Sequence, residues 1–197
     1  MENLLEKITD ALVDDGYIII DDALPKQLPP KLLKTAKERA LYKEAGISSS
    51  SQQHLDKNRR RDKISWLSMD DDASSEYLEF AKELQNYLNR SLYLGLSYYE
   101  AHFARYEEGD FYEKHLDAFK NSKNRLVTTV YYLNEEWSKD DGGELVIYSE
   151  DGVELKRVLP QQNRLVVFLS EKFPHEVLEA KRERYSIAGW FRVDKHS

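Results

Sequence analysis

Residues 164–193 read Arg-Leu-Val-Val-Phe-Leu-Ser-Glu-Lys-Phe-Pro-His-Glu-Val-Leu-Glu-Ala-Lys-Arg-Glu-Arg-Tyr-Ser-Ile-Ala-Gly-Trp-Phe-Arg-Val. Three short runs rich in β-branched and aromatic residues, at 164–169, 175–179 and 185–193, are separated by charged residues and one proline, which is the pattern of strands. In the last run, alternation places Arg184, Ser186, Ala188 and Trp190 on one face and Tyr185 and Ile187 on the other. An arginine on the inward face of an apolar strand needs a partner, because an unpaired buried charge costs several kcal/mol.

Working upstream, the same period of two recurs at 97–106, 126–133, 144–148 and 153–159. The intervening clusters Glu107-Glu108-Gly109, Asp140-Asp141-Gly142-Gly143, Asp151-Gly152 and Pro160-Gln161-Gln162-Asn163 have turn chemistry. Short strands at this spacing predict a sandwich or barrel. Before Leu96 the period is helical. Leu4, Leu5, Ile8, Leu12 and Val13 stripe a helix over 2–14 that Gly16 stops, and Tyr17 to Ile20 form a short strand. Pro29 and Pro30 introduce a second helix running to about Ala45, with Gly46 as its stop. A third helix over 74–94 carries Tyr77, Leu78, Ala81, Leu84, Tyr87, Leu88 and Leu92, with Gly95 after it. Residues 47–62 have almost no apolar anchor and read as a long surface loop. The expected organisation is one domain over 1–197, with helical support in 1–95 and a β core in 96–193.

The composition narrows the chemistry. The 197 residues are 41% hydrophobic and 33% charged, ordinary for a globular domain that buries roughly 70% of its unfolded surface. There is no cysteine, so a thiol nucleophile, a disulfide scaffold and a Cys zinc site are excluded, and any metal must be held by His, Asp or Glu. The net charge of -7 argues against a phosphate-tracking nucleic-acid binder. No window has the apolar length of a membrane span, and the first sixteen residues lack a basic start followed by an apolar run, so the expected location is cytoplasmic.

Of the five histidines, His54 and His196 read as solvated side chains, and His102, with the strand parity of Tyr106, reads as a packed wall residue, a replacement ligand being the alternative. His115 and Asp117, two apart in an extended segment, offer an imidazole and a carboxylate to one face. His175 follows Pro174, and a short hairpin would bring Arg184 alongside it. Together His115, Asp117 and His175 form a two-His-one-carboxylate set for ferrous iron with three cis positions open. Arg184 would then bind the far carboxylate of a bidentate oxo acid through its planar fork, with Ser186 adding a hydroxyl. 2-Oxoglutarate has that form.

The stretch from about Tyr99 to Val193 resembles the Fe(II)/2-oxoglutarate dioxygenases of the prolyl 4-hydroxylase type, in particular the HIF prolyl hydroxylases and their bacterial homologues. The resemblance rests on Lys114-His115-Leu116-Asp117, Val130-Tyr131-Tyr132-Leu133-Asn134 with Trp137, Gly142-Gly143-Glu144-Leu145, Asn163 to Phe168, Pro174-His175-Glu176-Val177, and Arg184 to Ile187 ending in Trp190-Phe191. It extends more thinly to Gly16 to Asp22 and to Arg60 to Trp66. It implies a mainly β fold with some α content: a double-stranded β-helix, or jelly roll, with N-terminal helices packed on the outer face of one sheet.

The resemblance implies Fe(II), 2-oxoglutarate and O2 as cofactors and cosubstrates, and would allow ascorbate. It implies that His115, Asp117 and His175 are the iron ligands, that Arg184 and Tyr132 hold the distal carboxylate, and that Tyr106, Tyr112, Leu145, Val177 and Trp190 wall the pocket. Asp62 and Arg125 match positions near the peptide-binding face, and the 47–62 loop matches a finger loop that closes over substrate. No catalytic residue beyond the iron ligands is implied. Ala188 departs from the hydroxyl residue of the eukaryotic members, and Ser186 supplies a hydroxyl they lack. The implied activity is hydroxylation of a proline on a protein partner, a component of translation by analogy, with release of succinate and CO2 and no membrane or nucleic-acid partner. The same oxygenase chemistry on another side chain or a small molecule is an alternative reading; a non-catalytic binding barrel is another, and would normally have a broken ligand set. The run Arg59-Arg60-Arg61 reads as a solvated loop or a docking contact for an acidic substrate. Tyr17, Tyr77, Tyr87 and Tyr148 read as core filling.

Overall fold

A computed structural model of the chain describes residues 1–39, 41–45, 47–49, 52–54, 59–117 and 124–194, with the backbone alone at 47–49 and 52–54. Its three helices are α1 (Glu2–Asp14), α2 (Leu28–Glu38) and α3 (Asp72–Leu92). The strands are β1 (Tyr17–Ile20), β2 (Lys43–Glu44), β3 (Ile47–Ser49), β4 (Gln52–His54), β5 (Lys63–Trp66), β6 (Tyr98–Tyr106), β7 (Tyr112–His115), β8 (Arg125–Tyr132), β9 (Leu145–Tyr148), β10 (Glu154–Val158), β11 (Leu165–Leu169), β12 (His175–Val177) and β13 (Arg184–Arg192).

They form a seven-stranded sheet in the order β1-β11-β8-β13-β6-β5-β2, a four-stranded sheet in the order β10-β9-β12-β7, and a β3-β4 hairpin. The strand pairs within these sheets are antiparallel. This is the jelly roll the resemblance implies. Among the described residues no helix is long and apolar enough to cross a membrane.

Alternation along the large sheet creates two apolar layers. Tyr185, Ile187 and Phe191 of β13, with Phe103, Val127, Tyr131, Leu165 and Val167, pack against the helical stripes Leu5-Ile8-Leu12, Leu28-Leu32-Ala36 and Tyr77-Phe80-Leu84-Leu88. The opposite face carries Ala104, Tyr106, Val130, Tyr132, Val166 and Phe168, which meet Leu145, Ile147 and Val177 of the small sheet. The functional cavity opens between the two sheets.

Gly189 shows how tightly the helical side is packed. A Cβ there would stand 2.0 Å from the Tyr99 hydroxyl, which bonds Thr129 Oγ1 at 2.7 Å and faces the Tyr77 hydroxyl at 3.3 Å. Gly189→Ala is therefore expected to cost about 2 kcal/mol by overpacking, read as a lower urea midpoint. An unchanged midpoint would show that the site can relax.

The chain departs from the sequence expectations at several places. The second helix ends at Glu38, not near Ala45. Arg39 leaves the helix with ψ 120° and donates to the Trp66 carbonyl at 2.9 Å and to Asp71 at 3.0 Å, over the Phe103 ring. These tertiary bonds outweigh another helical turn, and Lys43 and Glu44 pair with β5 as an edge strand instead. Asp71 caps α3 through the Ser74 N–H, and Tyr93, in the left-handed region, ends it ahead of Gly95. Residues 47–62 are not one open loop: they include the β3-β4 hairpin, and Asp62 is buried. Residues 40, 46, 50–51, 55–58, 118–123 and 195–197 lie outside the described residues, and with them Gly46, His196 and part of the expected finger loop.

Tyr148 does more than fill core. Its hydroxyl donates to Glu176, and Lys114 Nζ sits 3.3 Å from the centre of its ring. The expected His175–Arg184 hairpin does not form either. β12 lies in the small sheet beside β7 and β9, while β13 lies in the large sheet between β6 and β8. Arg184 reaches the cavity from the wall opposite His175.

Candidate active site

β7 and β12 pair with His115 opposite His175, and Asp117 lies two residues past His115. One ligand atom from each of the three lies within 4.8 Å of the others. The His115 and His175 Nε2 atoms stand 3.7 and 3.6 Å from the Asp117 carboxylate oxygens. Each Nδ1 faces a backbone carbonyl, that of Glu113 at 2.7 Å and that of Phe173 at 3.0 Å, so each Nδ1–H is spoken for and each Nε2 lone pair points inward. Asp117 accepts from Thr128 Oγ1 at 2.8 Å, and Thr128 is itself bonded to Ser170.

Burial works against ionising Asp117, but His175 and His115 beside it hold it below the usual carboxylate range. Burial and the neighbouring His175 hold His115 below the usual imidazole range. Two imidazole Nε2 atoms and one carboxylate facing a common point form a donor set for a divalent metal, and the facial two-His-one-carboxylate set is that of mononuclear ferrous oxygenases. His102 lies outside this set. It is buried between Trp66 and Trp190, ring centroids 5.2 and 5.4 Å away, and burial pushes it down to about 4, so it is a neutral wall residue.

Across the cavity, Arg184 is 1% exposed. Its Nε donates to the Gly143 carbonyl at 2.9 Å and its Nη1 to Ser186 Oγ at 3.3 Å, and its guanidinium lies 4.6 and 5.2 Å from the Tyr106 and Tyr132 ring centres. Gly143 permits this approach, since a Cβ there would stand 3.0 Å from Arg184 Cδ. No carboxylate pairs with Arg184 among the described residues, and the buried Tyr132 hydroxyl, beside the Arg184 guanidinium, makes no hydrogen bond of good geometry among them. A buried cation and an orphan hydroxyl on one wall are costly unless an anion joins them.

The cavity between these walls holds about 260 Å³, with Val130, Leu145 and Val177 as apolar lining. A ligand with a metal-chelating end and a carboxylate at the other end satisfies both walls. Tyr132→Phe is expected to raise the KM for such a ligand about thirtyfold, the worth of one hydrogen bond to a charged carboxylate of about 2 kcal/mol. An unchanged KM in initial-rate assays would leave the orphan hydroxyl unexplained.

At the mouth, the structure gathers Asp62, Tyr112 and Arg125 in one lining with Arg60. Arg60 forks onto Asp62 at 2.6 and 3.0 Å and stacks over Tyr112. Tyr112 stacks on His115 with centroids 3.6 Å apart. Arg59 pairs with Glu113 and Arg61 lies over Phe111. Within the basic run Arg59 and Arg61 are exposed, and Arg60 alone is turned in against Asp62 and Tyr112. The offset of two between Arg60 and Asp62 was a usable signal, since such residues share a face in extended chain. Nothing local marked Thr128, Ser170, Glu100 or Arg192.

A jelly roll with this triad and a buried arginine across the cavity defines the class of mononuclear iron oxygenases that take a 2-oxo acid. The family model for the 2OG-Fe(II) oxygenase superfamily matches residues 101–192. A crystal structure of a Pseudomonas putida prolyl-4-hydroxylase superposes with TM-score 0.87 at 38% identity, covering 96% of this chain and 99% of that one. A Trichoplax adhaerens prolyl hydroxylase, in complex with a hypoxia inducible factor oxygen degradation domain peptide fragment, gives 0.85 at 25% identity, covering 97% and 90%. Human Egl nine homolog 1 is 30% identical over 95% of this chain, which spans 46% of that protein's length. The chain belongs to the 2OG-Fe(II) oxygenase superfamily, whose members use Fe(II), 2-oxoglutarate and O2.

Proposed function

We propose that the protein is a 2-oxoglutarate-dependent prolyl hydroxylase acting on a protein substrate in the cytoplasm, with ascorbate as an optional reductant. The observation that carries it is the pairing of the His115-Asp117-His175 set with a buried Arg184 that has no carboxylate partner among the described residues. The likeness to prolyl hydroxylases, one of them bound to a peptide, supports proline as the target. When bound, Fe(II) with 2-oxoglutarate and O2 supplies the oxidation that turns a C–H into C–OH and releases succinate and CO2.

The chain's own residues place and shield that chemistry. His115, Asp117 and His175 would hold the metal. Arg184, Ser186 and Tyr132 fix the distal carboxylate. Tyr106, Leu145, Val177 and Trp190 keep water from the cavity. The Arg60-Asp62-Tyr112 stack and Arg125 shape the mouth through which a peptide enters. The test is succinate formation from 2-oxoglutarate by the Fe(II)-loaded protein with and without O2, joined to a mass-spectrometric search for oxygen-dependent gain of one oxygen on proline. Host proteins are treated with wild type or with His175→Ala. Turnover without oxygen, or the same products from the variant, would overturn the reading.

A further inference from the structure

Five charged side chains line the mouth once Asp117 and Arg184 are set aside for metal and cosubstrate: Arg60, Asp62, Glu100, Arg125 and Arg192. Arg60 and Asp62 neutralise one another through a two-point fork. Arg125 and Arg192, from neighbouring strands β8 and β13, both donate to one oxygen of Glu100, at 3.1 and 2.7 Å. Two guanidiniums on a single carboxylate leave one positive charge in excess. Among the described residues no second carboxylate joins them, and Arg192 Nε is buried without a hydrogen-bond partner.

Both side chains are largely desolvated, 23% and 21% exposed. Arg125 is stacked on Trp190 at 3.9 Å, and the Arg192 guanidinium lies 5.2 Å from the Tyr98 ring centre. Each fork is therefore held in place before a ligand arrives, so little side-chain entropy is lost on binding. This local excess opposes the chain's overall charge of -7 and sits at the entrance to the cavity.

We propose that Arg192 and Arg125, spaced by Glu100, form a carboxylate-reading clamp that selects substrates carrying an Asp or Glu close to the reacting residue. The proposal rests on the protein-substrate reading above and names the chemistry of the segment that docks. Arg192 is its determining residue, because Arg125 also braces Trp190.

The experiment uses labelled peptides with a central Pro or Ala and Asp, Asn or Lys scanned through the flanking positions. Binding is read by fluorescence anisotropy on the Fe(II)- and 2-oxoglutarate-loaded protein without oxygen, and hydroxylation is read by mass after oxygen is admitted. At low salt, Asp at one flanking position is expected to bind about tenfold tighter than Lys, and the contrast should shrink as salt rises. Arg192→Glu should reverse the order, which loss of structure cannot do. If that variant does not fold, Glu100→Gln serves instead: by releasing both guanidiniums it should increase the preference for Asp. Equal binding of Asp, Asn and Lys peptides, or an Asp preference that survives Arg192→Glu, would overturn the clamp. An acidic preference shared by Pro and Ala peptides, with no proline hydroxylated, would keep the clamp and overturn the prolyl reading.

Discussion

Asp117→Ala is expected to reduce oxygen-dependent succinate formation to the level of a protein-free control and to abolish stoichiometric binding of Fe(II). The carboxylate is the one anionic ligand among three donors, and it is buried. Without it, a divalent cation would meet two imidazole donors and no anionic ligand to offset its desolvation. The loss is expected to be chemical, not structural, because Thr128, which donates to the carboxylate, also lies 2.8 Å from Ser170 Oγ and can donate there instead. Metal titration followed by calorimetry, beside a thermal melt of the metal-free protein, separates the two effects. Normal turnover in the variant would remove Asp117 from the ligand set.

Arg184→Ala is expected to raise the KM for 2-oxoglutarate about a hundredfold, the equivalent of roughly 3 kcal/mol for one side of a buried ion pair. The effect should fall mainly on KM, since Arg184 grips the end of the cosubstrate away from the reacting atoms. A second readout comes from stability. In wild type, saturating 2-oxoglutarate with a redox-inert divalent metal should raise the melting temperature through selective binding to the folded state. That rise should vanish in the variant. Arg184→Lys should recover only part of it, because an ammonium cannot form the two parallel bonds of a guanidinium. A 2-oxoglutarate requirement unchanged by Arg184→Ala would assign the buried charge another role.

Much of the site was legible because its decisive relations are local. His115 and Asp117 are two apart in extended chain, and Arg184, Ser186, Ala188 and Trp190 alternate along one strand, so shared faces follow from the strand period. The orphan hydroxyl of Tyr132 was reachable only through family resemblance, because a tyrosine in the run Val130-Tyr131-Tyr132 carries no local sign of which ring faces the cavity. Arg60 was read only with its neighbours, as part of a run that is solvated or docks an acidic substrate. Its burial depends on Asp62 and on Tyr112, a partner from a distant strand, and three consecutive arginines look alike until that strand is in place.

The sequence by itself determined the absence of thiol chemistry, the change from helical to strand period near Leu96, the face that carries Arg184 and the identity of the metal donors. Only the tertiary structure decided that His175 and Arg184 stand on opposite sheets, that α2 stops at Glu38 and that Arg125 and Arg192 share Glu100. The physical reason is range. Periodicity and turn chemistry act over a few residues. Strand order, helix termination by a distant carbonyl and the balance of charges at a pocket mouth are settled by contacts between residues as much as 151 positions apart, as Tyr17 is from Phe168.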